Sequence, residues 1–461
     1  MLSNQRGKSR FDLNTIRYPA PVVDPIHLWS KSPHLDVNAA RKTFLTKIVV
    51  LTVLIWLLIF LVSAVFIGGG HNPSRYTKNL RVLIVDYDQQ LAGTLLLESF
   101  HRSPPGNLTL HWIFASPSRY SMDNLIHEVT SGKAWAAVSI KANTTQLISS
   151  IISSVFSNTA ATSVVTGSPS VEIILESGRS SVTVLRYLEP PIVAAVQRAN
   201  VQYSQIIQTN LIQQLNGMSS SRVSSSILNL YAVISNPIQY IINDLHPIKH
   251  SAGTGATTIG YIYVYLLAVI AVGGAIGLSQ SLTGKIRTFD VIFARLLNAS
   301  FQGLIISLIF ALIVLWFYGF DNYGHFVRYW MFNWLFFLTF APIVALLVVN
   351  LGPRAAFVLT LFFGVSLSAA DLLISVELQP RFYRIGYGLP FYHVINGARH
   401  LLFHSYSNFN ADVGALLAWS LFAAITTCLT AAYRLHKASE KKRQSLIKEK
   451  QIKRQQPQLN Y

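Results

Sequence analysis

A chain of 461 residues that is 51% hydrophobic and only 12% charged does not fit an ordinary soluble fold, whose charged fraction runs about twice as high. Net charge is +18, but residues 1–47 hold eight Lys/Arg against three Asp and residues 434–461 nine against two Glu, so twelve of the eighteen net charges sit at the ends. Such tails suit an anionic lipid surface and argue against nucleic acid as a partner. The single cysteine, Cys428, excludes an intramolecular disulfide and a multi-thiolate metal site.

In chain order, residues 1–47 form a polar, basic tail too long for the leading region of a cleavable signal. Residues 48–67, "IVVLTVLIWLLIFLVSAVFI", carry no charge and are long enough for a helix crossing a hydrocarbon layer about 30 Å thick. Residues 68–258 come next, a stretch of domain size. It alternates strand-like runs ("LRVLIVD", "LTLHWIFAS", "KAWAAVSIK", "VEIILES") with helical patterns over 121–130 and 145–155, which predicts an α/β or α+β layer. Ser/Thr-rich stretches at 153–170 and 219–226 read as connectors. Residues 182–245 lack strand alternation and read as long helices broken at Pro190-Pro191. Asn107 and Asn143 open glycosylation sequons.

The first strand ends in "VDYD". Two acids at a strand end, two residues apart, are how several phosphotransfer enzymes hold a metal ion and a nucleophile. Here Gln90 stands where such an enzyme has Thr or Val, and no second acidic pair occurs downstream. Asp88 therefore reads as the cap of a helix beginning at Gln89, and no enzyme, catalytic residue or cofactor is expected. "GLSQSLTGKI" fails as a phosphate loop, because Gly277 and Gly284 are seven apart and Ile286 stands where Ser or Thr is required.

Five further apolar segments lie at 259–279, 301–320, 330–349, 355–376 and 413–433, for six spans in all. An even count puts both tails on one side, and their Lys/Arg load makes that side the cytosol. Lys285, Arg287 and Arg295 fall on the same side, whereas Arg381, Arg384 and Arg399 lie on the opposite 377–412 connection. The reading is thus a polytopic α-helical membrane protein, one helix plus a five-helix domain at 259–433, with an extracytosolic domain at 68–258 and a basic cytosolic tail at 434–461. Polar groups within spans are expensive and mark candidate paths: Asp371, Asn333 and Gln302, with Arg381 and Arg384 beside them. Pro342 is expected to kink its helix, with Thr339 satisfying the freed carbonyl region. Gly273 and Gly277 form a small-xxx-small face. His393, His400 and His404 share a helical face without a carboxylate, so no metal site is expected there.

Three stretches together resemble a family: the strand ending "VDYD" soon after the first span, "SGKAWAAVSIKANTTQL" (Ser131 to Leu147) and "YGLPFYHVINGARHLLF" (Tyr387 to Phe403). The second is similar to fungal DUF3533 proteins. The third resembles the element that ABC-2-type exporters place between their fifth and sixth helices, and the one-plus-five layout is similar to YhgE/Pip proteins. The resemblance, over about 47–433, implies a re-entrant element at 377–412 carrying Gly388, Pro390, Asn396, Gly397 and Arg399. It also implies a plasma-membrane protein of the nitrosoguanidine-resistance type, which exports or excludes amphiphilic drugs or moves lipid between leaflets. Implied partners are membrane lipids, a second copy as homodimer, and a separate ATPase subunit docking at Gln280 to Asn298. The alternative is a non-transporting scaffold or regulator acting through its extracytosolic domain.

Overall fold

The structure is a computed structural model that describes residues 35–102, 108–156, 169–215, 231, 234–279, 286 and 288–455. Asn107, Lys285, Arg287, the start of the basic segment at 280–298 and most of the two Ser/Thr-rich connectors lie outside the described residues. The chain divides into two compact units, Met1–Phe60 and Leu61–Tyr461. In the first, helix α1 (Leu35–Gly69, running on into the second unit) exposes Trp56 and Phe60 to 66% and 68%. Large apolar side chains turned outward all round a helix belong in lipid rather than water.

The second unit opens with a five-stranded mixed sheet in the order β2-β1-β3-β4-β5. Strand β1 (Arg81–Asp86) runs parallel to β2 (His111–Ala115) and to β3 (Ala136–Ile140). Strand β4 (Val171–Leu175) reverses, pairing Ala136 with Leu175, and β5 (Tyr240–Asp244) lies beside it in parallel. One face is covered by α2 (Leu91–His101), α4 (Thr144–Phe156) and α5 (Glu189–Leu215), through Leu96, Phe100, Ile148, Ile192 and Val196. Helix α3 (Met122–Thr130) seals the other with Leu125 and Val129. The middle strands are buried on both faces, which explains their continuous apolar runs.

The four expected strands and two expected helices are present, with two differences. Pro190-Pro191 does not break the helix: the helical run is continuous from Ser181 to Leu215, and a π-turn at Val184–Leu188 widens it just ahead of the two prolines. Strand β5 appears inside the stretch read as helical. Its register places it at the sheet edge, half exposed, and its "YIIND" sequence has no clean alternation to betray it.

Five stretches are long and apolar enough to cross a membrane: Asn38–Gly69, Ser251–Leu278, Phe289–Phe317, Tyr323–Ser368 and Phe409–Arg434. The corresponding helices beyond α1 are α6 (Gly260–Leu278), α7 (Thr288–Phe317), α8 (Tyr323–Leu351), α9 (Ala355–Ser368) and α11 (Phe409–Gln455). The fourth stretch joins α8 and α9 through a turn at Gly352–Arg354, with Gly352 at φ 58°. The segment read as 355–376 therefore ends as helix at Ser368. Gln379 closes it, its Nε2 donating to the carbonyls of Ser368 and Ile374 at 3.1 and 3.3 Å, which satisfies groups a helix end leaves bare. A short helix α10 (Pro390–Phe403) then packs on α8 and α11 before the last span.

The bundle core is aromatic: Tyr261, Tyr329, Phe336, Phe337, Phe340 and Phe391 are fully buried. Two helix contacts answer specific expectations. Pro342 frees the carbonyl of Leu338, and the hydroxyl that donates to it, at 2.8 Å, is Ser420 of α11. Thr339 instead donates to Leu335 and Leu416. Gly273 and Gly277 face open space, so their small-residue face packs against no other described helix of the chain. Ser420→Ala should strip the Leu338 carbonyl of its partner and cost about 1–3 kcal/mol. Thermal unfolding in detergent micelles would read this as a lowered midpoint, with little change for Thr426→Ala, whose hydroxyl serves only its own helix.

Candidate functional site

Between the end of α9 and the start of α10 the backbone abandons regular structure. Asp371 adopts a left-handed conformation (φ 57°), and 3₁₀ turns occupy Val376–Leu378 and Arg381–Gly388. This stretch is fastened to the sheet domain. Ser375 N–H donates to Thr183 Oγ1 at 2.9 Å, and Asn79 Nδ2 donates to the Glu377 carbonyl at 2.8 Å. Ile374 and Leu378 enter the core under the sheet. Tyr383 donates its hydroxyl to the Val65 carbonyl at 2.6 Å, near the end of α1.

The central contact is a buried ion pair. Arg399 of α10 donates from Nη1 to Asp371 Oδ2 at 2.8 Å and to the Arg179 carbonyl at 2.9 Å, and from Nη2 to the Asp371 carbonyl at 2.9 Å. Ser180 donates to the other carboxylate oxygen at 3.2 Å. Burial raises the Asp371 carboxyl to about 6, although Arg399 and Ser180 pull it down. Beside the pair, Arg179 lies 3.8 Å over the Trp135 ring and 5.1 Å from that of Tyr406, with Glu377 at 3.8 Å. Tyr406 in turn packs on Gly132, where a Cβ would come within 2.3 Å of its ring, and gives its N–H to Glu176. Burial pushes the Glu176 carboxyl up, against the hydrogen bond from His246 that lowers it.

Trp135, Arg179, Asp371, Glu377 and Tyr406 line a polar cavity of about 280 Å³, completed by Tyr387, Tyr392, His393, Asn396 and Asp412. Its lining comes from the sheet domain (Trp135, Arg179), the irregular segment (Asp371, Glu377), α10 and the chain leading into α11. A second cavity, about 90 Å³ and apolar, lies among α6, α7, α8 and α11, lined by Ile276, Leu338, Pro342 and Cys428 with Arg295 as its one charged side chain. Arg295 donates from Nε to Ser279 at 2.7 Å.

Of the residues singled out in the sequence, Asp371, His393 and Asn396 meet at the polar cavity, and Arg399 stands behind it. Arg381 and Arg384 are exposed on the 3₁₀ segment. Gln302 donates to Asn298 at 3.4 Å within its own helix. Asn333, fully buried, accepts from the Tyr261 hydroxyl, and its Nδ2 has no partner among the described residues. In the segment expected to be re-entrant, Pro390 starts α10 and the Gly388 carbonyl accepts from Trp419 Nε1 at 2.9 Å. Gly397 meets the Phe332 ring, 2.4 Å from where a Cβ would sit, and Gly386 packs on the Ala369 carbonyl oxygen even more closely. Asn143, exposed and left-handed at φ 60°, immediately precedes α4.

The three histidines of the α10 region diverge. His393 hydrogen-bonds Asp412 and the Tyr387 carbonyl, His400 bonds the Ser405 carbonyl, and His404 reaches Asp321. Sequence patterns do not single out Arg179, Trp135, Glu377 or Tyr406. Their only signal is that charged and aromatic groups flank Ser/Thr/Gly turns, which is too common to be diagnostic.

The two aspartates of "VDYD" serve the local backbone. Asp86 Oδ1 accepts from Asp88 N–H and Gln89 N–H, both at 2.9 Å. Burial raises its carboxyl against the pull of those donors. Asp88 accepts from Thr145 N–H at 2.9 Å, Thr145 Oγ1 at 2.6 Å and Gly93 N–H at 3.4 Å. It therefore bridges the N-terminal turns of α2 and α4, where a negative charge is favoured. Helix α2 begins at Leu91, not at Gln89, and its own N-cap Gln90 makes no side-chain cap bond.

A family model described as "Protein of unknown function (DUF3533)" matches residues 51–425. No curated protein and no solved structure matches the chain.

Asp371→Asn keeps a residue type that tolerates the left-handed conformation but leaves the Arg399 charge buried alone. At neutral pH it should destabilise by roughly 3–5 kcal/mol. Thermal midpoints measured at neutral pH in detergent micelles should fall for Asp371→Asn, and adding Arg399→Met should recover part of the loss by removing the unmatched charge.

Proposed function

Because the chain belongs to the DUF3533 family, a family described without an activity, we propose its function from the geometry: it promotes export or exclusion of amphiphilic toxic compounds, or transbilayer movement of lipid, and so confers drug resistance. The observation that carries this reading is the polar cavity of about 280 Å³ where irregular backbone meets the helix bundle. Backbone that breaks at membrane depth is tolerated where it is buried in protein or lines a wet cavity. An amphiphile needs two kinds of surface, and the exposed apolar faces of the helices, among them Leu417, Leu421 and Phe422 of α11, supply the other.

In this reading the chain crosses the plasma membrane six times. Helices α8 and α9 count as separate passes around Gly352, and α9 is a short one that thins the bilayer locally. Both basic ends lie in the cytosol, by the positive-inside bias. The sheet domain is then extracytosolic, and Asn143 is exposed for glycosylation. No nucleotide-binding motif occurs in the sequence, so energy for uphill export would come from an ATPase in another chain, docking on the basic segment after α6. The protein itself is not an enzyme in this proposal.

One observation favours the scaffold reading. Asp371, Arg399 and Arg179 are held by contacts that join the sheet domain to α10, as a rigid platform for partners would require.

Reconstitution separates the two. Purified protein in liposomes should move short-chain fluorescent lipid, or a cationic amphiphilic dye, several-fold faster than empty vesicles, and Asn396→Leu should slow it without changing the thermal midpoint. If neither probe moves, with or without ATP and membrane extract, transport is abandoned in favour of the scaffold.

A further inference from the structure

A second cluster of titratable side chains lies apart from the polar cavity, at the turn between α7 and α8. We propose that Asp321, His325 and His404 form a binding site for a divalent transition-metal ion of the zinc class, which would tie the α7–α8 turn to the end of α10. Their ligand atoms all lie within 4.8 Å of one another. Asp321 Oδ2 is 2.8 Å from His404 Nε2 and 4.0 Å from His325 Nδ1. Zinc bonds of about 2.0–2.1 Å place neighbouring ligands in a tetrahedron roughly 3.3 Å apart. The two observed separations straddle that value, so small side-chain rotations bring the three atoms onto one ion.

Two imidazoles and one carboxylate are a donor set that suits zinc and its neighbours better than calcium or magnesium, which take oxygen ligands. The local backbone explains the convergence. His404 caps α10 in a left-handed conformation (φ 60°), which turns its ring away from the helix axis. Asn322 caps α8 by accepting from the His325 N–H, which sets His325 in the first turn above Asp321. The His325 and His404 rings stand 4.8 Å apart. Asp321 and His404 are about half exposed, so an ion can enter from solvent. A cavity of about 130 Å³, lined in part by Asp321, His325 and Lys249, leaves room for a bound water as fourth ligand.

Lys249 Nζ lies 3.2 Å from the other carboxylate oxygen, Oδ1. It does not occupy the oxygen the metal needs, but its charge opposes a cation and sets the site toward modest rather than tight affinity.

The test is calorimetric titration of zinc chloride into full-length protein, free of any histidine tag, in detergent micelles. One zinc per chain should bind with micromolar-range affinity. His404→Asn, which suits the left-handed position, and His325→Ala should each weaken it by more than about tenfold, the loss already typical when only an outer partner of a ligand is removed. His71→Ala, an exposed histidine outside the cluster, should leave it unchanged. Cobalt should give the visible absorption of a low-symmetry site in the wild type alone. Absence of zinc binding, or equal stoichiometry and affinity in the His404→Asn and His325→Ala proteins, would overturn the assignment. Neither outcome bears on lipid movement, so the two proposals stand or fall separately.

Discussion

The Asp371–Arg399 pair is the contact on which the rest of the arrangement depends. Taking two such charges out of water costs several kcal/mol each, and attraction alone does not reliably repay it. Here the desolvation is offset by hydrogen bonds from three parts of the chain: the turn after α9, helix α10, and the loop after β4 that supplies Ser180 and the Arg179 carbonyl. Remove Asp371 or Arg399 and its partner is left as an unmatched buried charge; remove the loop after β4 and each of them loses a hydrogen bond. The pair thus couples the position of α10 to that of the sheet domain, and it does so at the point where the backbone is least regular. The left-handed Asp371, three residues beyond the end of α9, lies at the same point.

The constraint set by that pair extends in two directions. Toward the sheet, Arg179 is sandwiched between Trp135 and Tyr406, and Glu176 holds the Tyr406 backbone. Toward the helices, Gly386 and Gly397 let the irregular segment and α10 sit directly on Ala369 and Phe332. A Cβ at Gly386 would run into the Ala369 carbonyl and one at Gly397 into the Phe332 ring, so either substitution would displace the element that carries it. Close packing at two glycines and charge matching at one pair therefore serve the same end, which is to seat a short helix between a soluble-type domain and a membrane-type bundle.

Much of this architecture is legible in the sequence, and the reasons for what is not are physical. Strands β1, β3 and β4 announce themselves because burial on both faces demands unbroken apolar runs, and the edge strand β2, only partly buried, is legible from its aromatic and β-branched "HWIFA". Strand β5 does not, because it is half exposed along its length and "YIIND" offers a run of only three apolar residues before Asn243 and Asp244. The apolar helices are legible because hydrocarbon tolerates little else, yet the end of α9 is not. "SLSAADLLISV" is apolar enough to continue, and what stops it is Gln379, whose side chain returns to the Ser368 carbonyl from eleven residues further on. Asp371 and Arg399 each stand out as costly charges, but their pairing spans 28 residues and has no local signature. Asp88 shows the converse. Its capping role is readable from its place after the strand, while the second helix it serves, 57 residues away, is out of reach of any local pattern.

The polar atoms of the bundle divide into two populations, and the division bears on how an amphiphile could use it. Within the apolar stretches, polar groups are mostly consumed one by one in contacts between neighbouring helices: Ser420 with Leu338, Tyr329 with the Ala256 carbonyl, Trp334 with the Ser300 carbonyl. Such bonds satisfy groups that lipid cannot, and they leave a packed aromatic interior rather than a wet channel. Polar surface that still faces a cavity is gathered at the sheet-side end, around Glu377, Asn396 and Asp412. A route threading a charged head through the middle of this bundle would have to break several of those bonds at once. A route that keeps the head in the polar cavity or at the helix ends, with the apolar tail along the outer helix surfaces, breaks none of them. The distribution of bonded polar groups therefore favours a surface-guided path over a central pore.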